Sequence, residues 1–349
     1  MNRHLGMKPL RIVSIGGGTG LATLLRGLKR YSRAAQGAIE ITAVVTVTDD
    51  GGSSGRLRRD FDVLPPGDIR NCMVALSQDE ALLARLFNYR FDSGRGLKGH
   101  SFGNLFLTAM THLTGDFAHA VRLSAEVLAV GGRIFPSTAS NVRIEATLDN
   151  GQQVFGESKI GRSKRPIQEV RLVPRKAKPL KETLEAIAEA DIITMGPGSL
   201  FTSVIPNVLV SGIPKAIASS PASKIYFVNL MTQPGETVGL TASDHVRMIA
   251  KHCKSPGRGP IDICVVNSGI LGSGAVREYG KKSAQPVFTD IDELRDMGVR
   301  VITTDLVRKA GRTEPAKIRH DSGALGAITI ELAQEHRFES ERKSRKLKR

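Results

Sequence analysis

The stretch VSIGGGTGLATLLRGLKRYS, residues 13–32, decides the fold. Leu10, Ile12, Val13 and Ile15 read as a short apolar strand. Gly16, Gly17, Gly18, Thr19 and Gly20 follow at once, and Leu21, Leu24, Leu25 and Leu28 then recur at helical spacing. A buried strand that turns directly into a helix leaves backbone N–H groups and a positive dipole end at the turn, which suits an anion. Glycines there let a phosphate approach the backbone, or simply allow a tight turn. The established fingerprints do not fit. G-x-G-x-x-G needs glycine where Leu21 stands, and the Gly-Lys-Ser/Thr of a P-loop is absent.

IEITAVVTV at 39–47 is a second apolar strand. Strand, helix and strand make a βαβ unit, which implies a parallel sheet with a right-handed crossover. A long loop, DDGGSSGRLRRDFDVLPPGDIR at 49–70, is expected next, and then helices over 70–90, 103–114 and 116–130. The texture changes at VRIEATLDNGQQVFGESKI, where apolar residues alternate around Asn150-Gly151, a hairpin signal. The α/β rhythm returns with helix 180–190, strands 191–195, 214–218 and 225–229, helix 243–253, strands 261–266 and 299–304, and helix 322–336. The fold class expected is α/β: Rossmann-like, doubly wound, with a mostly parallel sheet and an inserted β-hairpin element. Residues 1–9 form an N-terminal extension, 10–338 one α/β domain with the insert at about 140–175, and 339–349 a basic, disordered tail.

Composition bounds the function. The 349 residues carry a formal net charge of +16, which draws polyanions. Part of that excess is local, since ESERKSRKLKR at the end holds six basic and two acidic residues. Tryptophan is absent and aromatics are 5%, which argues against base-stacking nucleic-acid modules. Cys72, Cys253 and Cys264 lack CxxC pairing, which points to a reducing cytoplasm and away from zinc. The N-terminal residues lack the apolar core of a signal peptide, and no apolar run approaches the ~18 residues of a membrane span.

The chemistry gathers after the strands, where open α/β sheets bind ligands. GGGTG follows the first strand, and Asp49, Asp50, Ser53, Ser54 and Arg56 follow the second. Gly196, Gly198 and Ser199 follow strand 191–195, Asn229 ends strand 225–229, and Thr232 and Gln233 follow it. Asp49 and Asp50 could hold Mg²⁺ or hydrogen-bond a ribose or base; the alternative is a turn or cap pair in a Gly-Ser loop. Gly99-His100-Ser101-Phe102-Gly103 matches the G-x-S-x-G nucleophile elbow, but DSGRGLK before it is not a strand, so a serine hydrolase is set aside. His100, Ser101 and Asn104 read instead as polar ligand contacts at a helix start.

GGGTGL, TVTDDGGSSGRLR, LPPGDIRN, GHSFGN, GPGSLFTSVIPN, NLMTQPGET and DHV occur in that order, and together resemble the YvcK-type gluconeogenesis factors of the CofD-like superfamily. The resemblance spans about residues 10–330. It implies a Rossmann-like fold, binding of UDP-activated sugars, and a regulatory role in cell shape and peptidoglycan synthesis under gluconeogenic growth, with no reaction established. It also implies a cytoplasmic, homo-oligomeric protein with envelope-synthesis partners and no specific nucleic acid. The other branch holds 2-phospho-L-lactate transferase, an Mg²⁺ enzyme acting on a deazaflavin. Its glycine loop, Asp-Asp pair and Pro-Asp pattern are similar to Gly16–Gly20, Asp49-Asp50 and Pro66-Gly67-Asp68; Asn71 closes that last motif. This chain departs from the transferase at Lys98–Asn104 and at Gly196–Ser199. The resemblance thus implies a diphosphate resting on Gly17–Gly20 and on Gly196–Ser199, with Asp49 or Asp50 meeting the nucleoside or an Mg²⁺ ion. The rival reading is an Mg²⁺-dependent transferase in which Asp49, Asp50 and Asp68 hold the metal.

Overall fold

The computed structural model of the chain describes residues 8–35, 37–163, 165–255, 257, 259–309 and 317–347. Most of the expected N-terminal extension and the last two residues of the expected tail lie outside these. The core is a seven-stranded sheet whose named pairings are all parallel. In chain order its strands are β1 Leu10–Gly16, β2 Ile39–Val45, β3 Arg133–Pro136, β7 Ile192–Met195, β8 Ser223–Phe227, β9 Ile263–Asn267 and β10 Arg300–Thr304. The missing numbers belong to the insert, β4 Arg143–Leu148, β5 Gln153–Phe155 and β6 Ile167–Val173. Across the sheet the order is β10-β9-β8-β7-β1-β2-β3.

That order explains the sequence of β1. Flanked by β2 and β7, it is buried on both faces, and a continuous apolar run suits such a strand better than alternation does. The helix Gly18–Ala34 buries Leu21, Leu24, Leu25 and Leu28 completely, each worth about 1.5–3 kcal/mol relative to exposure. It packs against the helices Gly67–Leu76 and Ser322–Leu347.

The insert is a three-stranded antiparallel sheet, β5-β4-β6, rather than a lone hairpin. Asn150-Gly151 does turn β4 into β5, with Gly151 at φ 82°, and β6 then pairs along the other edge of β4. A two-stranded hairpin is marginal alone, and the third strand lets Ile144, Ala146, Val170 and Leu172 bury together.

Other expectations are corrected. The loop expected at 49–70 contains the helix Gly52–Phe61 and the start of Gly67–Leu76. Its Gly-Ser start is a poor helix former, but Ser53, Ser54, Gly55 and Leu57 are buried, so packing overrides propensity. Residues 214–218 are helical within Ile213–Ser219, because Pro214 opens a helix at the position where its missing N–H costs nothing. The single helix expected over 70–90 is broken, and Asp79 caps the second piece, Glu80–Asn88, by accepting from Leu82 N–H. The expected disordered tail is helical as far as Leu347. Its Lys, Arg and Glu residues are good helix formers, with Glu339/Lys343 and Glu341/Arg345 spaced to pair. Among the described residues no single helix is long and apolar enough to cross a membrane.

Candidate functional site

From β1 the chain runs outward through β2 to β3, and later returns to the other side through β7, β8, β9 and β10. The order therefore reverses between β1 and β7, and a crevice opens there beyond the strands' carboxyl ends. A cavity of about 460 Å³ occupies it. The loop after β1 supplies Gly17, Gly18, Thr19 and Gly20; the loop after β7 supplies Pro197, Gly198 and Ser199; the loop after β8 supplies Asn229 and Gln233.

One wall is a helix end. Gly17 is the N-cap in extended backbone and offers no side chain to cap the helix Gly18–Ala34, whose first turn has no acidic residue of its own. The Gly18 N–H bonds to Asp68. The rest of the first turn has no partner within the helix and faces the cavity with the positive dipole end. Close packing requires the glycines. A Cβ on Gly17 would lie 2.6 Å from Asp68 Oδ2, and one on Gly20 would overlap the Pro197 carbonyl.

The facing wall is held rigidly. Asn229 clamps Gly198, its Oδ1 accepting from the Gly198 N–H at 3.2 Å while its Nδ2 donates to the Gly198 carbonyl at 2.8 Å. Gln233 Nε2 donates to Ser199 Oγ at 2.7 Å. Glu236 accepts from the Phe201 N–H and from Thr202 Oγ1, capping the helical turn Leu200–Val204. Asn207 Nδ2 donates to the Gly16 carbonyl at 3.2 Å and ties this wall to the end of β1.

Carboxylates crowd beside the glycine loop. Asp49 Oδ1 accepts from Gly51 N–H at 2.8 Å, and Ser54 also bonds to this carboxylate. Asp50 Oδ1 accepts from Ser158 N–H at 2.8 Å, which pins the insert over the site. The same contact brings Glu157 to the cavity wall. Burial, reinforced by the Asp49 charge, pushes Asp68 up to about 7 and Glu157 up to about 9. Burial alone pushes Glu236 up to about 7, against its hydrogen bonds. Asp49 and Asp50 thus turn to different partners, and among the described residues no group of three or more His, Cys, Asp or Glu side chains is set to hold a metal ion.

These shifts fix a pH dependence. Each carboxyl keeps its proton to a higher pH folded than unfolded, so the folded state binds more protons between the ordinary and the raised values. Stability from these groups is present below about pH 4 and is lost as pH rises through about 7 for Asp68 and Glu236 and about 9 for Glu157. Asp68→Asn and Glu157→Gln are expected to flatten the fall in unfolding free energy between about pH 5 and pH 8. Urea titrations across that range check it, and an unchanged slope would mean that the carboxyls are ionised throughout.

Several residues singled out from sequence stand outside this cavity's lining. Ser53 Oγ and His100 Nδ1 are 3.0 Å apart, Asn104 Nδ2 donates to Ser54 Oγ at 3.3 Å, and Arg70 donates to Ser101 Oγ at 2.7 Å and Asn71 Oδ1 at 2.9 Å. Together they buttress the carboxylates. Ser101 is the N-cap of Phe102–Thr114. Arg56 donates to the Lys98 carbonyl, and Thr232 bonds to the backbone of Gln285. The cavity also gains residues that sequence reasoning missed: Glu157, Ser203, Tyr279, Arg319 and His320. Arg319 is the cation among the lining residues. His320 is held neutral, burial lowering it to about 4, and its Nε2 contacts the Val228 carbonyl at 3.3 Å.

The profile of a family described as 2-phospho-L-lactate transferase CofD matches residues 12–307. The gluconeogenesis factor of Bacillus subtilis is 46% identical over 331 residues, covering 95% of this chain and 100% of that one. The gluconeogenesis factor of Halalkalibacterium halodurans is 45% identical over 325 residues, covering 93% and 97%. A crystal structure of a Bacillus halodurans protein superposes with a TM-score of 0.86 at 44% identity, covering 93% of this chain and 100% of that one. The chain belongs to the CofD family.

Proposed function

We propose that this CofD-family chain binds a nucleotide sugar, a UDP-sugar foremost, and acts through that binding as a cytoplasmic gluconeogenesis factor. In this reading it regulates cell shape and peptidoglycan synthesis under gluconeogenic growth, as a homo-oligomer with envelope-synthesis partners. The observation that carries the binding is the cavity at the β1/β7 reversal. It sets a glycine-rich helix start opposite the clamped Gly198 loop, which is the arrangement that holds a diphosphate in doubly wound sheets. The cavity lies within the ~300–1,000 Å³ of small-molecule sites. The names of the relatives support the gluconeogenesis factor alone, and the role in cell shape and peptidoglycan synthesis rests on the resemblance carried by the ordered motifs.

A second reading is an Mg²⁺-dependent transferase using a nucleotide-activated donor. Asp68 and Glu157 favour it, because the Asp49 charge adds to burial in raising both, and a cation beside Asp49 would relieve that. When bound, the metal would neutralise phosphate charge; the chain's part would be to hold it through Asp49 and Asp68 and to keep water from the glycine loop.

Thermal unfolding against UDP-GlcNAc, UDP-glucose, UDP and GTP, with and without Mg²⁺, separates the two. A ligand at about 100 times its Kd adds roughly 2.7 kcal/mol. A rise selective for UDP-sugars and no product on incubation is the expected result. A rise confined to GTP with Mg²⁺ would favour the transferase. No response to any nucleotide would contradict both.

A further inference from the structure

We propose that the cavity between the edge of β6 and the helices Ile205–Val208, Ile213–Ser219 and Ala242–His252 is a second binding site, for a phosphorylated organic anion of metabolite size. It encloses about 510 Å³, apart from the nucleotide cavity and sharing no lining residue with it. Its walls differ in character. Leu172, Val208 and Val210 make one apolar and buried, while Arg171, Arg175, Lys215 and Lys254 bring cations to the others.

The charges are unevenly matched. Arg171 is ion-paired through Nη2 to the buried Glu145, but its Nε is buried with no acceptor. Arg175, Lys215 and Lys254 have no ion-pair partner among the described residues. Glu169 is the one acid among the lining residues. Three unmatched cations against one carboxylate leave two positive charges, the complement of a phosphate monoester, which carries about −1.5 to −2 near neutral pH. His252 adds none. Its Nε2 accepts from Val170 N–H at 3.0 Å, its Nδ1 meets the Met248 carbonyl at 2.7 Å, and burial lowers its pKa.

The same contacts argue against an added peptide strand. Among the described residues β6 pairs only with β4, so its outer edge would be the place for one. That edge is already closed at Val170 by His252, and at the Gln168 carbonyl by Lys251 Nζ at 2.9 Å. A compact ligand fits what remains: an organic body against the apolar wall, and a phosphate taking the free cations.

Titration calorimetry of the full chain with glucose 6-phosphate tests this, with glucose and inorganic phosphate as controls. Wild type should bind glucose 6-phosphate, bind inorganic phosphate more weakly, and ignore glucose. The double variant Arg175→Glu/Lys215→Glu should lose at least tenfold in affinity, and Arg175→Gln/Lys215→Gln should lose less. Both variants change exposed side chains, and circular dichroism verifies their folding. Their response to UDP-GlcNAc should match that of wild type, whichever way wild type responds, so this site and the nucleotide site fail separately. Unchanged glucose 6-phosphate binding in the double variant, or no binding in wild type, would overturn the proposal. So would sedimentation of wild type, but not the double variant, with phosphatidylglycerol vesicles in the absence of any glucose 6-phosphate response, since the surface would then read lipid headgroups.

Discussion

Gly20→Ala is expected to abolish nucleotide-sugar binding and to lower the unfolding free energy by about 3 kcal/mol, the upper end of the overpacking range. The added methyl would overlap the Pro197 carbonyl oxygen and press on Gly198 Cα at 3.0 Å. Neither atom belongs to a flexible side chain. Gly198 is held at both its N–H and its carbonyl by Asn229, and the helical turn that follows is capped by Glu236. The two walls of the cavity must therefore separate, and the diphosphate would lose one of them. Calorimetry with UDP-GlcNAc and denaturant unfolding read the two effects. Gly274→Ala is the matched control, since a Cβ there meets nothing within 4 Å. It should be neutral or stabilising, by up to ~1 kcal/mol. Wild-type affinity in Gly20→Ala would show that the loops do not grip one ligand.

The second large effect is expected at Gly27→Ala, far from the chemistry. Gly27 lies in the middle of the helix Gly18–Ala34, where it crosses the start of Ser322–Leu347. A methyl would overlap the Ser322 carbonyl and come within 3.1 Å of Gly326 N. Gly326 answers from the other side, where a Cβ would lie 2.7 Å from the Gly27 carbonyl carbon. Two backbones meet at two glycines, so one helix must move bodily. The cost is again about 3 kcal/mol, a fall of several degrees in Tm. His320 and Arg319 immediately precede the second helix and line the cavity, so binding should weaken as well. A Tm within a degree of wild type would mean that the two helices are not packed this way.

The frame of this molecule is legible because its central strand and first helix state their burial in one short stretch. Ile12, Val13 and Ile15 can only be covered on both faces, and the leucines at helical spacing say which side of the next element turns inward. The four loops at the strand ends were legible for the same reason, since a parallel sheet puts those ends on one edge. Residues 49–70 were not. Their glycines and serines read as loop, yet residues 52–61 among them are helical, because small side chains let that helix sit close to Asp50, where even a Cβ on Gly55 would overlap the Asp50 carbonyl. Glu157 was illegible too. Nothing near it announces a site, and it arrives through a bond from Ser158 to Asp50, 108 residues earlier. The same holds for Arg319 and His320, which the order of strands carries back to the glycine loop. Conversely, His100, Ser101 and Asn104 look like ligand contacts because buried polar residues at a helix start have the composition of a binding loop. Here those groups bond to Ser53, Ser54 and Arg70.

Hydrogen–deuterium exchange of the full chain, with and without saturating UDP-GlcNAc, tests most directly whether a nucleotide sugar sits at the reversal between β1 and β7. Slowed exchange is expected together in two segments that are remote in sequence: residues 17–23 at the helix start and residues 197–203 after β7. Exchange unchanged in both, or protection confined to segments that do not line this cavity, would contradict the account.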